Sequence, residues 1–265
     1  MKTKKRIDKT KIIFFILGGV VILFIVLPLI KMIVTTNPKI LWETLKDQVV
    51  YKSIFLTIYA ALISTFLSFV FGIPLAYCLA RYNFWGKEII EGIVDIPVVI
   101  PHTAAGIALL ISFGQNSLIG KAGAFLGIEF IGSIYGIIIA MAFVSLPFLI
   151  NAAKEGFRLV DVKLEKAART LGAGGLKSFF TITLPLSKKS VVSGMIMMWA
   201  RGISEFGAVL IIAYHPMVAP ILLFERFESF GLSYAKPVGV ILIFVSLLLF
   251  VILRIFMSKK DAKEI

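Results

Sequence analysis

Ile12-Ile13-Phe14-Phe15-Ile16-Leu17-Gly18-Gly19-Val20-Val21-Ile22-Leu23-Phe24-Ile25-Val26-Leu27-Pro28-Leu29-Ile30 runs without one charged or polar side chain. A helix of about 20 mostly apolar residues spans a bilayer, whereas a strand of a membrane barrel shows as about 10 residues of alternating hydrophobicity. This stretch does not alternate, so it reads as a transmembrane helix that continues through Lys31-Met32-Ile33-Val34. A basic segment precedes it, as in a secretory signal. Signals, however, have an apolar region of only about 7–15 residues ending in a small-residue cleavage site. The run is therefore expected to be a retained first span.

Five further apolar runs follow, and the six lie at roughly 12–34, 53–80, 89–113, 131–153, 190–214 and 235–257. They occupy most of the 265 residues, so 1–265 reads as a single transmembrane domain with no room for a soluble one. The composition agrees: 59% of residues are hydrophobic and 16% charged, against about 25% charged in soluble domains. In hydrocarbon a backbone must satisfy its own polar groups, which makes the expected fold class all-α, a polytopic membrane protein of about six transmembrane helices. Only Ser258 to Ile265 follow the last run, and no appended regulatory domain is expected. The single Cys78 can form no intrachain disulfide and no cysteine metal site.

A net charge of +13 would fit nucleic-acid binding if it were clustered on a soluble face. Instead, 20 of the 28 Lys and Arg fall in 1–11, 81–88, 151–190 and 254–265, four stretches that share one side of a six-span chain. Loops rich in Lys and Arg stay cytoplasmic. Both termini and the long 154–189 loop are thus expected inside the cell (plasma) membrane, and nucleic acid is not an expected partner. The opposite loops, near 35–52, 114–130 and 215–234, carry Trp42, Phe224, Phe227 and Phe230.

The third run holds Ile96-Pro97-Val98-Val99-Ile100-Pro101-His102-Thr103. Each proline leaves a carbonyl four residues earlier without its donor and kinks the helix. Such breaks are tolerated in a membrane where polar neighbours or a cavity satisfy the backbone. Pro97, Pro101, His102 and Thr103 therefore mark either a pathway or gate, or a packing kink. With His215 the only other histidine, no metal-ligand cluster exists and no metal is expected.

The 154–189 loop carries the sharpest motif. In Leu164-Glu165-Lys166-Ala167-Ala168-Arg169-Thr170-Leu171-Gly172, the positions Leu164, Ala167, Ala168 and Leu171 recur at helical spacing and form one small apolar face. Gly172-Ala173-Gly174-Gly175 permits a sharp turn. Leu176 to Thr183 then reads as a second short helix closed by Pro185. Two short helices with alanines at their closest approach suit insertion into a groove on another protein.

This segment resembles the cytoplasmic loop of ABC importer permeases, whose pattern is Glu-Ala-Ala, three residues, Gly, nine residues, Ile, one residue, Leu-Pro. Ala167, Ala168, Gly172, Ile182, Leu184 and Pro185 stand at the matching offsets, while Lys166 occupies the glutamate position and Glu165 lies one residue before it. The resemblance implies a coupling helix that sits in a cleft of a separate nucleotide-binding subunit. This chain has no Gly-x-x-x-x-Gly-Lys-[Ser/Thr] phosphate loop. ATP and Mg are accordingly expected in the partner ATPase, with no cofactor and no catalytic residue in this chain. A six-helix subunit is half of such a pathway, so a homodimer is the simplest assembly.

The resemblance narrows with Leu56-Thr57-Ile58, Gly72-Ile73-Pro74-Leu75-Ala76-Tyr77, Ala80-Arg81 and Ala200-Arg201-Gly202-Ile203-Ser204-Glu205-Phe206-Gly207-Ala208. These segments look like the permeases for molybdate, tungstate and sulfate. The strings from Ile100 to Leu110 and from His215 to Pro220 look most like archaeal tungstate/molybdate permeases. An external oxyanion-binding protein is the further partner this implies, with sulfate as the alternative substrate.

Arg201 and Glu205, four residues apart inside a span, can meet on one helix face. Charges in a membrane are costly and usually paired or functional. A bare carboxylate would repel an oxyanion, which favours a structural pair over substrate contact by Arg201. Gly202 and Ser204, with Thr103, are the alternative lining groups. An ion-coupled secondary transporter would need more spans and a visible internal repeat. A membrane enzyme would need a constellation of catalytic groups that the chain does not show.

Overall fold

The computed structural model describes residues 9–261. The basic residues near Met1 and the final residues after Asp261, which bear on the orientation of the termini, lie outside them. The elements are α1 (Lys9–Val34), α2 (Pro38–Lys46), α3 (Gln48–Arg81), α4 (Lys87–Val99), α5 (His102–Phe113), α6 (Leu118–Phe125) and α7 (Ile134–Leu159). After the loop helices α8 (Val162–Thr170), α9 (Gly175–Ser178) and α10 (Leu184–Leu186) come α11 (Lys188–Ile203), α12 (Gly207–Ile212), α13 (Ala219–Phe230) and α14 (Leu232–Asp261). Among the described residues there is no strand.

The two most extensive helix contacts join α7 to α3 and α7 to α11, and small residues make them possible. Along α3 a stripe of Ala60, Ser64, Ser68, Gly72 and Ala76 recurs every fourth residue, and all five are buried. Lipid tails are as apolar as leucine, so membrane helices associate by close packing, which small side chains allow. At Gly72 a Cβ would already stand 3.3 Å from Ile150 and Leu146 of α7. At Gly194 of α11 it would stand 2.8 Å from Ala152. Against these faces pack Ile73, Leu79, Leu149, Ile150, Phe157 and Met198 at one end of the bundle, and Met141, Val144, Trp199, Ile203 and Val209 at the other.

Helix α1 stands apart. Its apolar stretch is 0% buried, and its main contact is with α14, where Met32 lies 3.7 Å from the position of a Gly239 Cβ. A helix that is apolar all round and uncovered by protein is one solvated by hydrocarbon.

Four described helices are long and apolar enough to cross a bilayer: α1, α3, α7 and α14. The α4–α5 pair makes a fifth if it counts as one span. All six expected runs are helical, but two are broken. The third bends by 112° between α4 and α5. Pro101 has no N–H and drives Ile100 out of helical geometry, to φ −76° and ψ 148°. The fifth run, 190–214, is not one helix: α11 stops at Ile203 after 16 residues, Ser204-Glu205-Phe206 intervene, and α12 restarts at Gly207. The flanking residues stay apolar through the break, so hydropathy alone does not register it. At its C-terminal end α7 continues to Leu159, and the expected 154–189 loop begins only after it.

Candidate functional site

The loop after α7 is built from local backbone chemistry. Asp161 caps α8, its side chain accepting the Lys163 N–H at 2.8 Å. At the other end Ala173 N–H donates to Ala168 O and Gly172 N–H to Arg169 O, both at 3.0 Å. This paired closure requires a left-handed residue, and Gly172 supplies it with φ +87°. The expected second helix differs from the structure. Residues 175–186 form one continuous helical run that widens to a π turn at Phe179–Thr183, where Leu184 N–H reaches back to Phe179 O. The wider turn carries the chain through Pro185, which lacks an N–H to donate. Pro185 therefore sits inside the run rather than closing it.

Glu165 anchors this loop. Its side chain is 5% exposed, and Oε1 lies 2.8 Å from Arg81 Nη2, 2.9 Å from Arg81 Nε and 2.6 Å from Thr183 Oγ1. Tyr77 donates to Oε2 at 3.1 Å, and Arg81 also donates to Val160 O at 2.9 Å. Burial alone would push the carboxyl up. The hydrogen bond from Thr183 and the charge and hydrogen bonds of Arg81 outweigh it, and the Glu165 pKa falls below the ordinary value of 4.5. Phe179 completes the joint edge-to-face with Tyr77 and Phe157, centroids 4.9 and 5.8 Å away. The opposite side of the loop is open: Lys166, Ala167, Leu171 and Leu176 are exposed, as is Pro185, while Ala168, Ile182 and Leu184 are half-buried. Sequence reasoning placed Glu165 at the motif and missed its burial. Glu165 as the one acid within α8, with Arg81 ending α3, was the available signal.

A second joint involves Arg158, whose guanidinium bonds Glu155 at 2.7 Å and Glu91 at 3.2 Å, while Lys154 approaches Glu91 at 3.3 Å. Asn151 donates to Asp95 at 2.7 Å. These contacts tie α4 to α7.

The two broken runs meet at one place. Arg201 Nη2 lies 3.0 Å from Glu205 Oε2, and His102 Nδ1 lies 3.1 Å from the same oxygen and 2.9 Å from Arg201 Nη2. Glu205 is fully buried. Its Oε1 accepts the Ala208 N–H at 2.9 Å, at the start of α12. Oε2 has the Arg201 guanidinium and the His102 ring close by but no well-aligned donor, a contact of proximity rather than a hydrogen bond. Arg201 Nη1 points to Ser204 Oγ at 3.3 Å. The helices can come together here because Gly207 leaves room: a Cβ would sit 2.9 Å from His102 Cβ. Gly106 does the same against Ala208 and Ile211. Of the groups considered for a pathway, Pro101, Thr103 and Ser204 are exposed and His102 partly so. Pro97 and Gly202 are buried, Gly202 against Ala61 and Met141. His102 was not foreseen as a partner of the Arg201–Glu205 pair.

Residues 68–262 match the family described as binding-protein-dependent transport system inner membrane component. The chain belongs to this family. It is 43% identical over 254 residues to the molybdate/tungstate transport system permease protein of Pyrococcus abyssi, covering 95% of this chain and 97% of that one. The corresponding permease of Thermococcus kodakarensis is 42% identical over 259 residues, with 97% and 100% covered. A probable sulfate transport system permease protein of Chlorokybus atmophyticus is 30% identical over 232 residues, with 85% and 81% covered. Among solved structures, a bacterial alginate ABC transporter in complex with a periplasmic protein shares the fold with TM-score 0.74 at 15% identity, covering 96% of both chains. The MetNI methionine ABC transporter, in an inward-facing form, follows with TM-score 0.61 at 15% identity, covering 84% and 97%. The chain is thus a permease subunit rather than an enzyme, and its resemblance to the oxyanion permeases is borne out.

Proposed function

We propose that the chain is the membrane-spanning subunit of an ATP-driven importer for molybdate or tungstate. An external binding protein delivers the anion, and a separate ATPase, the holder of ATP and Mg, drives its passage. Two copies form the passage. Both termini and the 160–187 loop face the cytoplasm, following the basic bias of those stretches. The relatives with 42–43% identity along nearly their whole length support the substrate class. Sulfate is the second reading, supported by the more distant sulfate relative.

The loop geometry carries the coupling role. One side of α8 is fastened to α3 through Glu165, while Leu171 and Leu176 stand 88% and 78% exposed beside small Ala167. An apolar edge held rigidly in water is a docking surface in search of a groove. Leu171→Asp leaves the permease fold untouched, since this side chain makes no buried contact, and is expected to abolish co-purification with the ATPase or to lower ATP-driven molybdate uptake into vesicles at least about tenfold, the scale of one lost hot-spot contact. If Leu171→Asp and Ala168→Trp both assemble and transport like the parent, the coupling assignment is wrong and an ion-coupled transporter moves ahead of it.

A further inference from the structure

The face that Arg201, His102 and Ser204 share is open in the monomer: Arg201 is 22% and His102 35% exposed by side chain, and Ser204 is exposed. Depth makes this unusual. From Lys188, where α11 begins, to Ser204 a helix rises about 24 Å, within a hydrocarbon core about 30 Å thick. A guanidinium turned toward lipid at that depth is costly, so such groups face a water-filled passage or another protein.

The cluster is arranged for exchange rather than for permanent pairing. The negative charge of Glu205 lies at the back, fully buried, with Oε1 held independently by Ala208 N–H and Oε2 shared between Arg201 and His102. Arg201 and His102 lie between that carboxylate and the open side. If Arg201 swings away, Glu205 keeps its backbone donor and His102. Arg201 is loosely held at its outer edge, its contact with Ser204 Oγ being 3.3 Å long. Its planar fork of donors matches two oxygens of a tetrahedral anion.

We infer that Arg201 exchanges Glu205 for the passing oxyanion, so that Arg201, His102 and Ser204 form a transient site for a tetrahedral dianion where the two broken helices meet. This rests on the importer function proposed above. Glu205 keeps the site weak: it competes for Arg201 and offsets its charge, and an anion that must leave toward the cytoplasm cannot be held tightly. The carboxylate that looked incompatible with an anion path becomes the group that releases the anion.

The test uses the full permease with its ATPase and binding protein in vesicles of neutral lipid, and the same complex in detergent for retention of tungstate. Glu205→Gln keeps an oxygen for Ala208 N–H but removes the competing charge. The purified complex is expected to retain tungstate on the order of tenfold more tightly, the scale of one added charge-assisted hydrogen bond, while its uptake rate falls. Ser204→Ala, at an exposed position, is expected to lower uptake severalfold with ATPase association unchanged, and Arg201→Lys to lower it further. A merely structural triad predicts the reverse pattern: Glu205→Gln loses thermal stability without gaining retention, and Ser204→Ala transports normally. That pattern, seen in a parent complex that imports tungstate, overturns this inference alone. A parent complex that assembles but imports no tetrahedral oxyanion overturns the substrate assignment and this site with it. Should Glu205→Gln fail to fold, Ser204→Ala and Arg201→Lys decide on uptake.

Discussion

Replacing Glu165 by alanine exposes how much of the loop's rigidity rests on one carboxylate. The substitution leaves the Arg81 guanidinium, 7% exposed by side chain, without its ion partner, and strands the hydroxyls of Tyr77 and Thr183. Removing one member of a buried pair costs about 3–5 kcal/mol, mostly because the other charge stays buried. Arg81 retains Val160 O, which places the expected loss near the lower end, about 3 kcal/mol. Glu165→Gln keeps an acceptor for Thr183 and Arg81 and loses only the charge, an expected cost of about 1.5 kcal/mol. The measurement is a double-mutant cycle, Glu165→Ala against Arg81→Ala, on the purified permease in lipid discs. It is read by denaturant unfolding and, separately, by the rate of proteolysis within 162–175. A coupling energy of about 2 kcal/mol with faster proteolysis is expected. If the single variants add to within about 0.5 kcal/mol and proteolysis stays at the parent rate, the joint does not hold the loop and the reasoning fails.

Because the Glu165 pKa is lowered in the fold, its contribution is fully present above the ordinary value of 4.5 and is lost as pH falls through the lower folded value. Hydrogen exchange in 162–185 is therefore expected to be unchanged between pH 7 and 5 after correction for intrinsic rates, and to accelerate only below about 4.5 in the parent and not in Glu165→Gln. At the helix break, Gly207→Ala would place a methyl 2.9 Å from His102 Cβ. It is expected to cost about 1–3 kcal/mol by overpacking and to impair uptake without affecting ATPase association, as uptake and co-purification assays would show.

Features determined within a few residues were open to the sequence. The spacing from Ala167 to Pro185 is a local backbone program, and the cap at Gly172 depends on that glycine alone. Arg201 and Glu205 share a face because four residues separate them. Pro101 announces a break because its missing N–H is covalent chemistry. The 112° direction of that break is different, since it follows from the seat that Gly106 and Gly207 make between α5 and α12. His102 reaches Arg201 across 99 positions, and Arg81 reaches Glu165 across 84. No pattern in one chain's hydropathy relates residues so far apart. The interruption at Ser204-Glu205-Phe206 stayed hidden for another reason: Glu205 looked like a charge to be neutralised, when it is also the group that accepts the Ala208 N–H in the first turn of α12.

The helical run from Gly175 through the π turn and Pro185 is joined to α11 by Ser187 alone, which makes the loop the short arm of a lever. Its fulcrum is the Glu165–Arg81 joint, and its long arm is the 16-residue α11, about 24 Å from base to tip. A rotation of about 10° at the base displaces the tip by about 4 Å, given that length. The tip carries Arg201. A nudge at the loop is thereby of the size needed to part Arg201 from His102 of α5, 2.9 Å away at the far end of the helix.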